Sequence, residues 1–255
     1  MTWTTAFALA LASGGAAAYA QTPHLAMDDG VSTARPVELS HATSLRPDLV
    51  PFDGPGPDRD QYVLLQAPAA SYELVVDEAS GDAAPLTVQR MAADGSTVLQ
   101  SAVAVGTGTA LSLRWLNTGF DPVGDQQIRI ESASCGTVCG ADDTYRVRFY
   151  ETTLRGARVN NTNGQVTILL LQNLTDAPVL AFYYLRAEDG VNGVGGGYII
   201  PPRGTHVHDT SRNLFVPGSV TVIHDAPYGG VVGKVVALDP ATGFSFDTAL
   251  APRPR

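Results

Sequence analysis

Apolar side chains in this chain recur at every second position, in short runs broken by Gly, Pro, Asn and Asp. Beyond the first twenty residues, no segment of useful length repeats at the helical period. Period two with one apolar face marks a half-buried antiparallel strand, and it excludes helical bundles and α/β folds. In the run 71–77, Tyr72, Leu74 and Val76 share one face while Glu73 and Asp77 share the other. Leu111, Leu113 and Trp115 oppose Ser112 and Arg114. Ile128 and Ile130 oppose Arg129 and Glu131, and Tyr145, Val147 and Phe149 oppose Arg146 and Arg148. Strands are expected at 61–66, 71–77, 86–91, 97–105, 111–117, 126–132 and 144–152, with an edge strand at 37–39. Ser80-Gly81-Asp82, Asp94-Gly95, Gly106-Thr107-Gly108 and Asp121-Pro122 supply the turns. This spacing predicts a sandwich.

The organising stretch is 165–190, QVTILLLQNLTDAPVLAFYYLRAEDG. Two apolar runs, 166–172 and 179–186, flank Asn173-Leu174-Thr175-Asp176-Ala177-Pro178. They read as two antiparallel strands joined by a short loop, at the centre of a second sandwich. Further strands are expected at 197–200, 205–209, 219–224, 231–238 and 244–247. The fold class is all-β: two tandem antiparallel β-sandwiches after a signal peptide. The expected division is leader 1–20, irregular segment 21–36, first sandwich 37–153, linker 154–164, second sandwich 165–248 and disordered tail 249–255.

The leader reading rests on the apolar core 6–12 and on Ala18-Tyr19-Ala20, an A-x-A cleavage pattern. No Lys or Arg precedes that core, a departure from the usual leader. The core is too short to span a bilayer and no later run reaches the needed length, so no membrane span is expected. The tail is polar and Pro-rich, unlike an anchor. A secreted or periplasmic protein is the expectation. The formal charge is −9, and Lys234 is the single lysine. Without clustered Lys and Arg, nucleic acid and anionic lipid are poor partners. The two cysteines, Cys135 and Cys139, are separated by a three-residue spacer, an oxidising compartment is expected, and a local disulfide is the favoured reading.

The segments Asp58-Arg59-Asp60-Gln61-Tyr62-Val63-Leu64, YELVVDEASGDAAPLTVQRMAADGSTVL and DDTYRVRFY resemble the bacterial pre-peptidase C-terminal domain, over about 37–152. That resemblance implies a small sandwich appended to exported proteins. No peptidase domain accompanies it here. The segments VTILLLQN and GSVTVIHDAPYGGVVGKVVALDPATGFSFDT resemble immunoglobulin-like modules of bacterial exported proteins. That second resemblance implies a sandwich and export, and no reaction.

Metal chemistry has two sets of candidates. His206 and His208 flank Val207 and share one face of a strand, and His224 ends a later strand, so the three could gather around Zn²⁺ or Cu²⁺. Asp58, Asp60, Asp142 and Asp143 are loop oxygens of the kind Ca²⁺ takes, although no EF-hand or nonapeptide repeat is present. Turn aspartates more often cap local backbone, and lone H-x-H pairs more often stand on solvated strands. No G-x-S-x-G elbow occurs, and adjacent His224 and Asp225 do not make a triad with Ser219. Gly193-Val194-Gly195-Gly196-Gly197 lacks the helix and Lys of a phosphate cradle and reads as a flexible hairpin tip. Of the consecutive Phe182, Tyr183 and Tyr184, at least one ring must leave the core, for a ligand platform or more commonly an interface. Asn160 and Asn173 each begin a glycosylation-type tripeptide. The functional expectation is therefore a non-enzymatic binding or structural module, its partner an unidentified protein or glycan at the cell envelope. The alternative is a calcium- or transition-metal-binding exported protein.

Overall fold

A computed structural model describes residues 37–49, 59–104, 106–119, 125–135, 139–140, 142–190, 193–213 and 217–255. The expected leader and the segment 21–36 lie outside the described residues. The fold is all-β, as the alternation requires, and among the described residues one short 3₁₀ turn, at Thr210–Arg212, is its only helical element.

The first sandwich faces two sheets. One orders β1 (Val37–Leu39), β3 (Arg59–Leu64), β8 (Gln126–Ser132), β5 (Leu86–Met91) and β6 (Val98–Ala104). The other orders β2 (Thr43–Leu45), β9 (Arg146–Glu151), β4 (Ala70–Asp77) and β7 (Leu111–Asn117). Every pairing is antiparallel except β1 with β3. The alternating apolar sets named above fill the interior: Tyr72, Leu74 and Val76 from β4 meet Ile128 and Ile130 from β8 and Phe149 from β9. Tyr72 stacks on Phe149 at 5.5 Å, and Trp115 covers both.

The second sandwich pairs β10 (Leu154–Val159), β15 (Gly218–His224), β12 (Val179–Ala187) and β13 (Gly193–Ile200) in one sheet. The facing sheet orders β14 (Thr205–Asp209), β11 (Val166–Asn173), β16 (Val231–Leu238) and β17 (Ser245–Leu250). Here the expected hairpin is corrected. β11 and β12 are central strands of opposite sheets and do not pair with each other. The connector between them is an arch across the core, held by Asn173. That side chain is fully buried. Its Nδ2 donates to the carbonyls of Ala177 (2.7 Å), Ile200 (3.2 Å) and Pro201 (3.0 Å), and its Oδ1 accepts from the Thr175 N–H at 2.8 Å. In the folded chain the Asn173 amide is spent on three carbonyls and has no access to solvent.

Three further boundaries move. The expected linker 154–164 begins with strand β10, whose Leu154 and Val159 are buried in the second core. Its alternation is hidden because the inward position between them is Gly156. A Cβ there would lie 2.6 Å from Leu250 Cδ2 and 2.9 Å from Val220 Cγ1. The expected disordered tail starts inside β17, with Leu250 buried, and Ala251 bridges back to Arg155. The expected glycine-rich hairpin tip is strand β13. Gly195, Gly196 and Gly197 stand opposite Tyr184, Tyr183 and Phe182 on β12. Each ring lies across its glycine, and a Cβ would approach within 2.6–2.8 Å of β12 atoms in every case. The glycines make room for aromatics, which pin the register of an otherwise weak strand.

Candidate functional site

The polar positions of β4 and β7 look solvent-facing in sequence, yet Ser71 and Glu73 are buried. The second sandwich covers them. β15 packs against β4 and β7, and Ile223, Tyr184 and Phe182 meet Ala69 and Leu116 across the joint. The Tyr184 hydroxyl donates to the Thr118 carbonyl at 2.8 Å. The crossing residues are tied to β4. Thr152 N–H donates to the Ser71 carbonyl (2.8 Å), Ser71 N–H to Thr153 Oγ1 (3.0 Å), and Thr152 Oγ1 to Ser71 Oγ (2.8 Å). Thus Phe182 and Tyr184 form an interface rather than a free platform, and Tyr183 goes to the core.

Residues 251–255 return to this joint. The buried Glu151 carboxylate pairs with Arg155 at 2.5 Å and with Arg253 at 3.1 Å. The Tyr228 hydroxyl donates to the Arg253 carbonyl, and Arg255 lies over the Tyr228 and Tyr150 rings at 4.4 and 4.8 Å. His41 Nδ1 accepts from the Glu151 N–H, so its proton sits on Nε2, which donates to the Pro254 carbonyl at 2.8 Å.

Between the sandwiches a cleft of about 470 Å³ opens. Arg114 of β7 forms one wall; Thr175 to Val179 and Asp225 to Pro227 form the others. Glu73 stands directly across from Arg114 in the β4–β7 register. Its two oxygens are taken, however, by the Ser112 hydroxyl and the Tyr228 N–H, both at 2.8 Å. Among the described residues the Arg114 guanidinium makes no ion pair or hydrogen bond. Asp225 Oδ1 accepts the Leu180 N–H at 2.9 Å, and Asp176 is held by two hydrogen bonds from Arg203. Arg203 keeps the Asp176 carboxyl below the usual carboxylate range. Two other concavities, of about 360 and 610 Å³, are walled by the second sandwich alone.

Behind the cleft lies His224, 1% exposed, with no hydrogen-bond partner on either ring nitrogen. Burial pushes its pKa down to about 4. Backbone groups of Ala226 and Thr152 oppose that shift without reaching hydrogen-bonding geometry, and the Arg114 charge adds to it.

The expected metal ligands are dispersed. His206 and His208 do share a face of β14, but it turns inward. His206 stacks on Tyr198 with centroids 3.6 Å apart, His208 lies 4.5 Å from Tyr183, and its Nε2 donates to Asn213 Oδ1 at 2.9 Å. Burial, then the His208 charge, lowers the His206 pKa. His224 belongs to the opposite sheet, so the expected three-histidine gathering does not form. Asp58 lies outside the described residues. Asp60 is buried and accepts the Tyr145 hydroxyl, which also meets the Tyr62 hydroxyl at 2.9 Å. Asp142 is exposed, and its backbone carbonyl accepts from Ser80 Oγ. Asp143 caps two turns, accepting the Asp82 and Gly140 N–H groups at 2.6 Å each. No group of three His, Cys, Asp or Glu side chains able to hold a metal forms among the described residues. Cys135 and Cys139 are joined in a disulfide, as their spacing predicts. No described helix is long and apolar enough to cross a membrane.

The sequence matches no protein-family model and no curated protein. Among solved structures, the full extracellular region of zebrafish Gpr126/Adgrg6 is similar over 84% of this chain and 31% of its own, with 11% identity and a TM-score of 0.30. A Bacteroides uniformis β-glucuronidase is similar over 77% and 26%, with 10% identity and a TM-score of 0.24. A β-glucuronidase from glycoside hydrolase family 2 is similar over 91% and 27%, with 12% identity and a TM-score of 0.25. The chain spans less than a third of each of these proteins, and likenesses at this level carry no argument about function.

Proposed function

We propose that this is an exported, non-enzymatic binding module whose ligand, a glycan, sits in the cleft between its two sandwiches. The observation that carries the reading is the cleft itself: walls from both domains, closed behind by a buried, hydrogen-bonded joint. Ligand sites favour such junctions, where a few polar groups converge on an apolar floor. Pro178 and Pro227 offer apolar surface to the C–H face of a sugar ring, above the buried Val179 and Ala226. Arg114 offers donors and Asp225 an acceptor for hydroxyl groups. Export is supported by the leader-like first twenty residues and by the disulfide, a bond of oxidising compartments.

The test is a glycan array probed with the full chain and with Ala177→Trp, which fills the cleft from an exposed position. Retention of a glycan by the parent and its loss in the variant, at unchanged melting temperature, supports the reading. No retained glycan, equal retention by both proteins, or turnover of a bound glycan overturns it.

A further inference from the structure

Among the described residues the Arg114 guanidinium, inside a partly enclosed cleft, makes no ion pair or hydrogen bond. Its cross-strand neighbour is Glu73, but one Glu73 oxygen accepts from Ser112 on β7 and the other from the Tyr228 N–H across the domain joint, so Glu73 makes no ion pair with it. Of the other two carboxylates on the cleft wall, Asp176 is bonded to Arg203 and turned outward, its side chain 85% exposed. Asp225 has Oδ1 committed to the Leu180 N–H, leaving Oδ2 as an acceptor. A guanidinium held this way is matched by a planar anion, since a carboxylate takes two of its parallel N–H groups at once. A second acceptor at Asp225 requires a ligand that also carries a donor, as a ring hydroxyl does.

We infer that the cleft selects a carboxylate-bearing sugar, its carboxylate on Arg114 and a neighbouring hydroxyl on Asp225. This rests on the cleft being the glycan site and adds the charge of the ligand. A neutral sugar would leave Arg114 desolvated and unpaired, whereas an acidic one replaces the lost water with charge-assisted hydrogen bonds.

The experiment titrates the full chain with uronate- and sialate-bearing oligosaccharides, each beside its carboxyl-reduced counterpart. The parent protein is expected to bind an acidic form at least ~10-fold more tightly than its reduced partner, the scale of one charge-assisted pair. Arg114→Gln should erase that ratio while leaving residual binding of the neutral form. Asp225→Asn should weaken both forms alike. Melting curves check that the variants are folded. Equal affinity for acidic and reduced sugars overturns the inference and leaves the cleft reading intact. Preference for acidic sugars that survives Arg114→Gln also overturns it. Binding of peptides through a free α-carboxylate, with no sugar bound, overturns both.

Discussion

Acidification should weaken this protein, and one separable part of the loss should come from His224. The ring is buried with neither nitrogen bonded, and its pKa falls from the ordinary 6.5 to about 4. The folded state therefore disfavours the protonated form. Between these two values the unfolded chain binds a proton that the folded chain refuses, so stability rises with pH across that window. The contribution is fully present above the unfolded pKa and is lost as pH falls through the folded one. Linkage gives a loss of about 2 kcal/mol between pH 7 and pH 5, and about 3 kcal/mol once pH drops below 4. Urea denaturation at several pH values measures it, on the parent and on His224→Leu, which keeps the volume and removes both unbonded nitrogens. The variant should match or exceed the parent at pH 7, and its stability should fall less between pH 7 and 5, by about 2 kcal/mol. Carboxylates that titrate elsewhere act on both proteins and cancel in the difference. Parallel pH curves for the two proteins would refute the reasoning.

Other perturbations test the packing. Asn173→Ala removes donors from three carbonyls and an acceptor from Thr175, and should cost about 3 kcal/mol in urea denaturation. A loss below about 1 kcal/mol would mean the arch is held otherwise. Gly196→Ala puts a Cβ 2.8 Å from Cε1 of the buried Tyr183 and should cost about 1–3 kcal/mol, read as a lower melting temperature. Replacing Cys135 and Cys139 together by serine should cost only about 2 kcal/mol, because the closed loop is short. A larger loss would show that the loop orders more than itself.

The fold class was legible because alternation survives wherever a strand has one wet face. It failed where that condition fails. β11 and β12 are rich in apolar residues along their length, and each has a strand on either side, so nothing local says whether they pair with each other or face across a core. Proximity in sequence favoured a hairpin; the burial of Asn173, with its five side-chain hydrogen bonds, belongs to an arch. β10 escaped notice because Gly156 occupies an inward position where neighbouring Leu250 and Val220 supply the bulk. The cleft was illegible for a different reason. Arg114 comes from the first sandwich and its opposing walls from two loops of the second, and on β7 it reads as an ordinary outward charge. One signal was available: Leu116 shares the polar face with Ser112 and Arg114, and an apolar residue there marks a covered face. The paired outward rings of Phe182 and Tyr184 mark the surface that covers it. For the metal ligands, the H-x-H spacing correctly placed two imidazoles on one face but could not say that the face turns inward onto Tyr183 and Tyr198.

The route of the chain bears on how the cleft would bind. The second sandwich is entered at Thr152–Thr153 and left at residues 251–255, and both passages lie against the same buried Glu151 through Arg155 and Arg253. A domain attached by one passage can swing about it. Two passages clamped beside each other, with Tyr184 and Ile223 wedged against Leu116, oppose both hinge and twist. The distance from Arg114 to Asp225 is then set by the joint and not by the ligand, and the entropy of aligning the walls is spent during folding. Glu151→Gln releases the clamp with little cost to either core, since Arg155 and Arg253 are half exposed and can find water. Such a variant should keep its melting temperature within a few degrees yet show faster amide exchange at Thr152 and Thr153 and weaker ligand binding. Unchanged exchange there would mean that the apolar wedge alone fixes the two sandwiches, and that the returning segment contributes nothing to the shape of the cleft.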